Sequence, residues 1–245
     1  MRIVNDQQAA KVGLVHPTGA GFVLFAAEVG TWIGPFLPPS RARSAVVELL
    51  RATVAELERL PQVEEARVFR GALRPPGEGV DVLAARGLAP ARYDVVVLVR
   101  TSDIAAATAL RDDPIYRDAV DEAERRSRRS YELVATNDGR SGDVDHRPIH
   151  RFLFNYFYAD DTDTVRKVWE YTAGWFQAKT GLPNSVLMRP VDGESADFAI
   201  VNHASWPSFR AFLPSLLFRP SFRSFVLANF KANDIAAQPI IYQRV

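Results

Sequence analysis

Apolar residues in this chain come in two arrangements, short unbroken runs and longer stretches with helical spacing. Gly21–Ala27 (GFVLFAA) and Tyr93–Val99 (YDVVVLV) do not alternate with polar residues, which predicts strands covered on both faces. Between them, Val46, Leu49, Leu50, Val54, Leu57 and Leu60 fall on one face of a helix that Ser40 caps and Pro61 stops. Val63–Leu73 reads as a strand with exposed charges, broken by Arg74-Pro-Pro-Gly77. The segment from there to Ala91 reads as an insertion with one helical turn. A helix over Asp103–Leu110 follows, a second restarts at Asp113-Pro114 and runs to Arg126, and Ser130–Thr136 is a fourth strand.

The order then repeats. Arg151–Tyr158 predicts a strand, and Thr162 or Asp163 opens a helix to Lys179. That helix has a face of Val165, Val168, Trp169, Trp175 and Phe176, expected to be core and not site. Asn184–Arg189, Asp197–His203 and Pro239–Arg244 are further strands, with a broken helix between Trp206 and Asn229. Two stretches share one grammar of strand, turn, helix and a Pro-x-aromatic-Arg ending. The first spans Asp94–Val120 with Pro114-Ile-Tyr-Arg117, the second Asp197–Phe225 with Pro220-Ser-Phe-Arg223. Each unit is therefore expected to be β-α-β-β-α-β, the ferredoxin-like arrangement.

The expected fold class is α+β, with two antiparallel sheets packed face to face as an α/β barrel. Residues 1–20 are expected to form an arm or a poorly ordered lead-in, 21–140 the first unit and 151–245 the second. The boundary falls in the polar, turn-rich stretch Asn137–His150, with 141–150 as linker. Gly30–Pro39 cannot hold a long regular element, yet carries Trp32, Ile33, Phe36 and Leu37. It reads as a loop folded onto the core or over a pocket mouth.

Composition narrows the function classes. With 47% hydrophobic and 24% charged residues the chain can bury a core, and a net charge of +1 gives no global attraction to nucleic acid or anionic membrane. No cysteine is present, which excludes disulfides, thiolate nucleophiles and cysteine-held metals. The N-terminus lacks a signal-peptide core, and no apolar run approaches the roughly 20 residues that span a bilayer, so a cytoplasmic location is expected. Phosphate-loop, dinucleotide, nucleophile-elbow and H-E-x-x-H motifs are absent.

With its doubled strand–helix–strand–strand–helix–strand order and Pro-x-aromatic-Arg endings, the chain resembles a tandem member of the dimeric α/β-barrel superfamily. That group includes the antibiotic-biosynthesis monooxygenase-like proteins and the haem-degrading monooxygenases. The resemblance implies a small hydrophobic or aromatic substrate held between the two sheets, in a monomeric pseudo-dimer or a homodimer. It implies an oxygenase working without a cofactor or through haem. A non-catalytic ligand-binding, haem-binding or structural barrel is the other reading. Haem-degrading members use an Asn on strand one, a Trp ending strand three and a His on the last helix. Asn155 matches the first, His203 falls at the second and Val226 at the third, while the first unit offers Arg100 and Val120 at the latter two. The complete triad is missing, so no cofactor is expected.

His203 ends an apolar strand near Trp206, and Asn155 sits in a strongly aromatic strand. Strand alternation groups Leu153, Asn155 and Phe157, and separately Val201 and His203. These residues, with Arg100 and Trp206, are expected to line one inter-sheet cavity. His203 would act as base or orienter and Asn155 would position a carbonyl or dioxygen. His203→Ala is accordingly expected to lower turnover with little loss of stability. His146 and His150 have the spacing of a helical metal pair, but Pro148 lies between them and a solvated linker is expected. The Arg125–Arg129 cluster ends a helix and is too narrow for nucleic acid.

Overall fold

The computed structural model describes residues 1–194 and 197–245. The first half runs β1 (Gly21–Glu28), α1 (Arg41–Leu57), β2 (Val63–Leu73), α2 (Val80–Ala85), β3 (Val95–Thr101), α3 (Ile104–Arg111), α4 (Pro114–Arg125) and β4 (Arg129–Gly142). The second runs β5 (Arg151–Tyr158), α5 (Thr162–Thr180), β6 (Ser185–Pro190), β7 (Ile200–Trp206), α6 (Phe209–Phe218), a π-helical segment Phe222–Leu227 that continues into α7 (Ala228–Lys231), and β8 (Ala236–Arg244). Local chemistry sets the helix starts. Ser40, Asp103, Asp113 and Asp161 each accept a backbone N–H of the helix they precede, and Gly181 ends α5 at φ 64°.

The eight strands of the described residues form one closed antiparallel barrel in the order β1-β3-β2-β8-β5-β7-β6-β4. Each half contributes four neighbouring strands in the ferredoxin-like order, β4-β1-β3-β2 and β8-β5-β7-β6. The expectation of two sheets stacked face to face needs restating, because the halves are hydrogen-bonded edge to edge. β2 pairs with β8 and β4 pairs with β6, which leaves no free edge. β4 reaches Gly142 instead of stopping near Thr136, so the polar stretch beginning at Asn137 is partly strand. Its ladder to β6 needs only backbone groups, and two register shifts absorb the turn-forming residues.

Apolar residues fill both sides of the wall. Phe22, Leu24, Leu98, Leu133, Phe152 and Phe154 belong to the core inside the barrel. Outside, Val46, Leu50, Leu57 and Val120 pack on the first half, and Val165, Trp169, Trp175 and Phe230 on the second. This two-sided burial is why β1 and β3 read as unbroken apolar runs.

The N-terminal arm packs against the second half. Val12 is buried and its N–H donates to the Glu170 carbonyl at 2.8 Å. A Cβ at Gly174 would lie 1.9 Å from the Ala10 carbonyl oxygen, so only glycine lets the arm lie on α5. The Gly30–Pro39 loop divides. Trp32 is buried and donates its Nε1–H to the Arg92 carbonyl, whereas Ile33 and Phe36 are 67% and 65% exposed. Among the described residues no helix is long and apolar enough to cross a membrane.

Candidate functional site

Residues directly opposite in an antiparallel pair share a face. Phe154 lies opposite His203, and Asn155 opposite Asn202. Phe152, Phe154, Tyr156, Val201 and His203 therefore point into the barrel, while Leu153, Asn155, Phe157 and Trp206 point outward beneath the helices. The expectation that Asn155 and His203 line one cavity is overturned. β5 is apolar on both faces, so alternation sorts its residues into two sets without telling which set faces inward. The expected site becomes two places.

Inside the barrel, His203 is 2% exposed and stacks on Phe154 with ring centroids 4.2 Å apart. His203 Nδ1 lies 3.0 Å from the Leu153 carbonyl, which can only accept, so Nδ1 carries the hydrogen. Burial and the adjacent His146 hold His203 well below the usual histidine pKa, hence neutral, and its Nε2 is a bare acceptor. His146 Nε2 approaches it at 2.8 Å and must be the donor. The rings lie nearly coplanar, 24° apart, with centroids separated by 5.1 Å, an end-to-end N–H···N contact and not a face-to-face stack. His146 Nδ1 in turn lies 2.7 Å from a Glu65 carboxylate oxygen, so a proton sits there as well. Burial pushes Glu65 upward, but the bond from His146 and the charges of His146, Arg67 and Arg100 outweigh it and hold the carboxyl below its ordinary value. Glu65 is therefore ionised and accepts from His146. Arg100 pairs with Glu64 at 2.8 Å and borders this polar end, beside a cavity of about 30 Å³ that His146 and His203 also line.

This chain of Glu65, His146 and His203 escaped sequence reasoning. His146 was expected to be solvated linker, yet it is 6% exposed, and its partners lie 81 and 57 residues away. His150 reaches only the Ser205 hydroxyl, at 3.5 Å.

Outside the barrel wall, a cavity of about 60 Å³ lies between the second-half strands and the helices above them. Leu153, Asn155, Phe157 and Trp206 all line it. Trp169 and Phe176 line it too, so the aromatic stripe of α5 is both core and cavity wall, a correction to the expectation of core alone. The π-helical turn brings Phe222, Val226 and Leu227 to the opposite wall, and π turns recur where a helix is reshaped around a site. Trp206 Nε1–H donates to Thr180 Oγ1 at 2.9 Å and Asn202 Oδ1 accepts from Ser185 Oγ at 2.6 Å. Asn155 differs. Its Oδ1 is fully buried with no hydrogen-bond partner among the described residues. An unpaired amide oxygen in apolar surroundings costs roughly 1–3 kcal/mol, and a ligand that donates to it removes the penalty.

Haem does not fit this cavity. Val226 stands where the resemblance calls for a ligating histidine, and among the described residues no His, Cys, Met or Tyr side chain lines the space. His146 and His203 lie on the other side of the barrel wall and bond each other.

No protein-family model matches the chain, and no curated protein matches it in sequence. Solved structures do match in fold. An anthrone oxidase-like protein superposes with a TM-score of 0.60 at 11% identity, covering 95% of this chain and 94% of its own. A protein from Fusobacterium nucleatum, named as a monooxygenase, superposes at 0.51 with 8% identity, covering 93% of each chain. The architecture is thus an α/β barrel of the ferredoxin-like kind shared over nearly the whole length.

Proposed function

We propose that the chain binds a small hydrophobic or aromatic molecule beneath the helices of its second half, as a tandem monooxygenase-like barrel. Residues 21–140 and 151–245 are its two units, joined by 141–150 within one polypeptide. The unpaired Asn155 Oδ1 in an apolar cavity carries this reading. Leu153, Phe157, Trp169 and Trp206 supply the apolar walls, and the Asn155 amide orients a ligand donor. Among the described residues no titratable side chain lines the cavity, and none of them is placed to act there as a general base. Any oxygenation would use a substrate that reaches the cavity already ionised, with dioxygen as oxidant and the protein giving a dry, shaped space. The names of the two fold relatives point the same way. That missing base equally favours the second reading, a binding protein without turnover.

Fluorescence titration with neutral N-phenylnaphthylamine tests the cavity, whose roughly 60 Å³ takes only the tip of the probe while the rest lies in the larger space that opens beside it at Leu216, Phe222 and Leu227. Saturable binding is expected, and Ala173→Leu, which fills the space from α5, should abolish it while circular dichroism stays native. Undiminished binding in that variant would sink the cavity reading. Oxygen uptake with an anthrone then separates enzyme from binder.

A further inference from the structure

The cavity adjoins a much larger groove of about 1220 Å³. Pro75, Pro76, Leu216, Phe222 and Leu227 line both. The groove walls are apolar and exposed, with Phe36, Leu217 and Val80 at 65%, 57% and 56%. Its charges are one-sided. Arg74, Arg92, Arg128, Arg129 and Arg223 border it against the single carboxylate of Glu28. Glu28 is engaged by Arg129 at 3.5 Å, and Arg128 donates to the Gly30 carbonyl and Thr31 Oγ1. Arg74, Arg92 and Arg223 have no ion-pair partner among the described residues. Arginines without an ion-pair partner also occur elsewhere, Arg59 and Arg210 among them, but the groove gathers five arginines against one carboxylate in a chain that carries only +1. The cationic excess is local.

Arg74 is the sharpest case. It is partly buried over the Trp32 ring at 5.8 Å, and Trp32 also holds the Arg92 carbonyl. Burial and the like charge of Arg92 pull the Arg74 pKa down, and the charge of Glu28, which Arg129 engages, only partly opposes them. The Arg74–Ala91 insertion that carries Arg74 is clamped against β8. Glu78 and Ala237 exchange two backbone hydrogen bonds of 3.0 Å, and a Cβ at Gly77 would meet the Ala237 oxygen at 2.3 Å.

We propose that the ligand is an amphipathic anion whose charged group is held by Arg74, Arg92 and Arg223 in the groove while its apolar end enters the cavity toward Asn155. This rests on the cavity reading above and adds the substrate class. A carboxylate or sulfonate on an aromatic body has the required chemistry. The cavity behind the groove, with its unpaired amide oxygen, selects a small molecule over a peptide or a bilayer, neither of which would reach it.

The test is a pair of probes on the full chain, anionic anilinonaphthalene sulfonate and neutral N-phenylnaphthylamine. The sulfonate should bind one per chain and at least about tenfold more tightly, with the advantage shrinking as salt rises. Arg74→Gln with Arg92→Gln should bring the sulfonate down to the neutral probe and leave the neutral probe unchanged. Arg125→Gln with Arg126→Gln, outside the groove, should change neither. Equal affinity of the two probes, or a sulfonate affinity indifferent to the Arg74 and Arg92 substitutions, overturns the proposal. If the neutral probe still binds and Ala173→Leu still removes it, the cavity survives and only the anion assignment falls. Arginine-dependent cosedimentation with phosphatidylglycerol vesicles that the sulfonate does not displace would instead assign the groove to a lipid surface and overturn it.

Discussion

At the scale of single residues, His203 and Asn155 exchange the roles their sequence contexts suggest. His203 lies in the aromatic interior, 2% exposed, and is the acceptor that His146 needs. His203→Ala should therefore destabilise the fold by about 2–5 kcal/mol, measured by urea unfolding, from lost volume and an unpaired buried donor. The sequence-based expectation of a dispensable base is reversed. Acid should act in the same direction. Below pH 6.5 the unfolded state protonates His203 while the folded state, with its lowered value, does not, so stability falls as pH drops. Glu65, lowered from 4.5, adds stability that is present above that value and lost as pH falls through its folded pKa. Thermal melts from pH 7 downward should show the decline, and His203→Gln should delay its onset toward the Glu65 range. Asn155 behaves oppositely, since Asn155→Leu removes an unpaired buried amide and should raise ligand-free stability by about 1 kcal/mol while weakening ligand binding. A loss of stability in that variant would mean that the amide is satisfied by the fold itself. Sequence showed both residues to be unusual, but the side of the wall each occupies depends on a register that Phe152, Leu153, Phe154 and Phe157 leave undefined.

At the scale of elements, the chain was largely legible because each helix carries its own punctuation. Ser40, Asp103, Asp113-Pro114 and Gly181 fix boundaries through local hydrogen bonds and backbone angles, and the structure agrees to within a few residues. Illegible stretches are those ordered by distant partners. β4 extends to Gly142 because β6 lies beside it, and the π-helical turn at Phe222–Leu227 has no sequence signal. α5 shows both kinds of information. Its Trp169 is 2% exposed, so Trp169→Ala should cost on the order of 3–5 kcal/mol by equilibrium unfolding. Gly174 is the counter-example. Glycine to alanine in a helix interior ordinarily stabilises by roughly 0.5–1 kcal/mol, but here the new methyl would strike the Ala10 backbone. Gly174→Ala should release the arm, exposing residues 1–12 to limited proteolysis while the barrel stays intact.

At the scale of the whole molecule, the two halves were readable as similar units, but the way they join was not. Closure is a property of edges, and the edge strands β2, β4, β6 and β8 carry no residue pattern that names a partner. The ladders β2·β8 and β4·β6 cross from one half to the other, and the Glu65–His146–His203 chain ties β2, the connecting segment and β7 together inside the barrel. Neither half can unfold without exposing two strand edges and half of a shared aromatic core. The chain should therefore unfold in one transition. Three of its four tryptophans, Trp169, Trp175 and Trp206, lie in the second half, so indole fluorescence reports that half, whereas far-ultraviolet circular dichroism reports the whole chain. The two urea curves should coincide in midpoint and slope. A fluorescence midpoint displaced from the dichroism midpoint would show that the halves are separable folding units held together only by their chain.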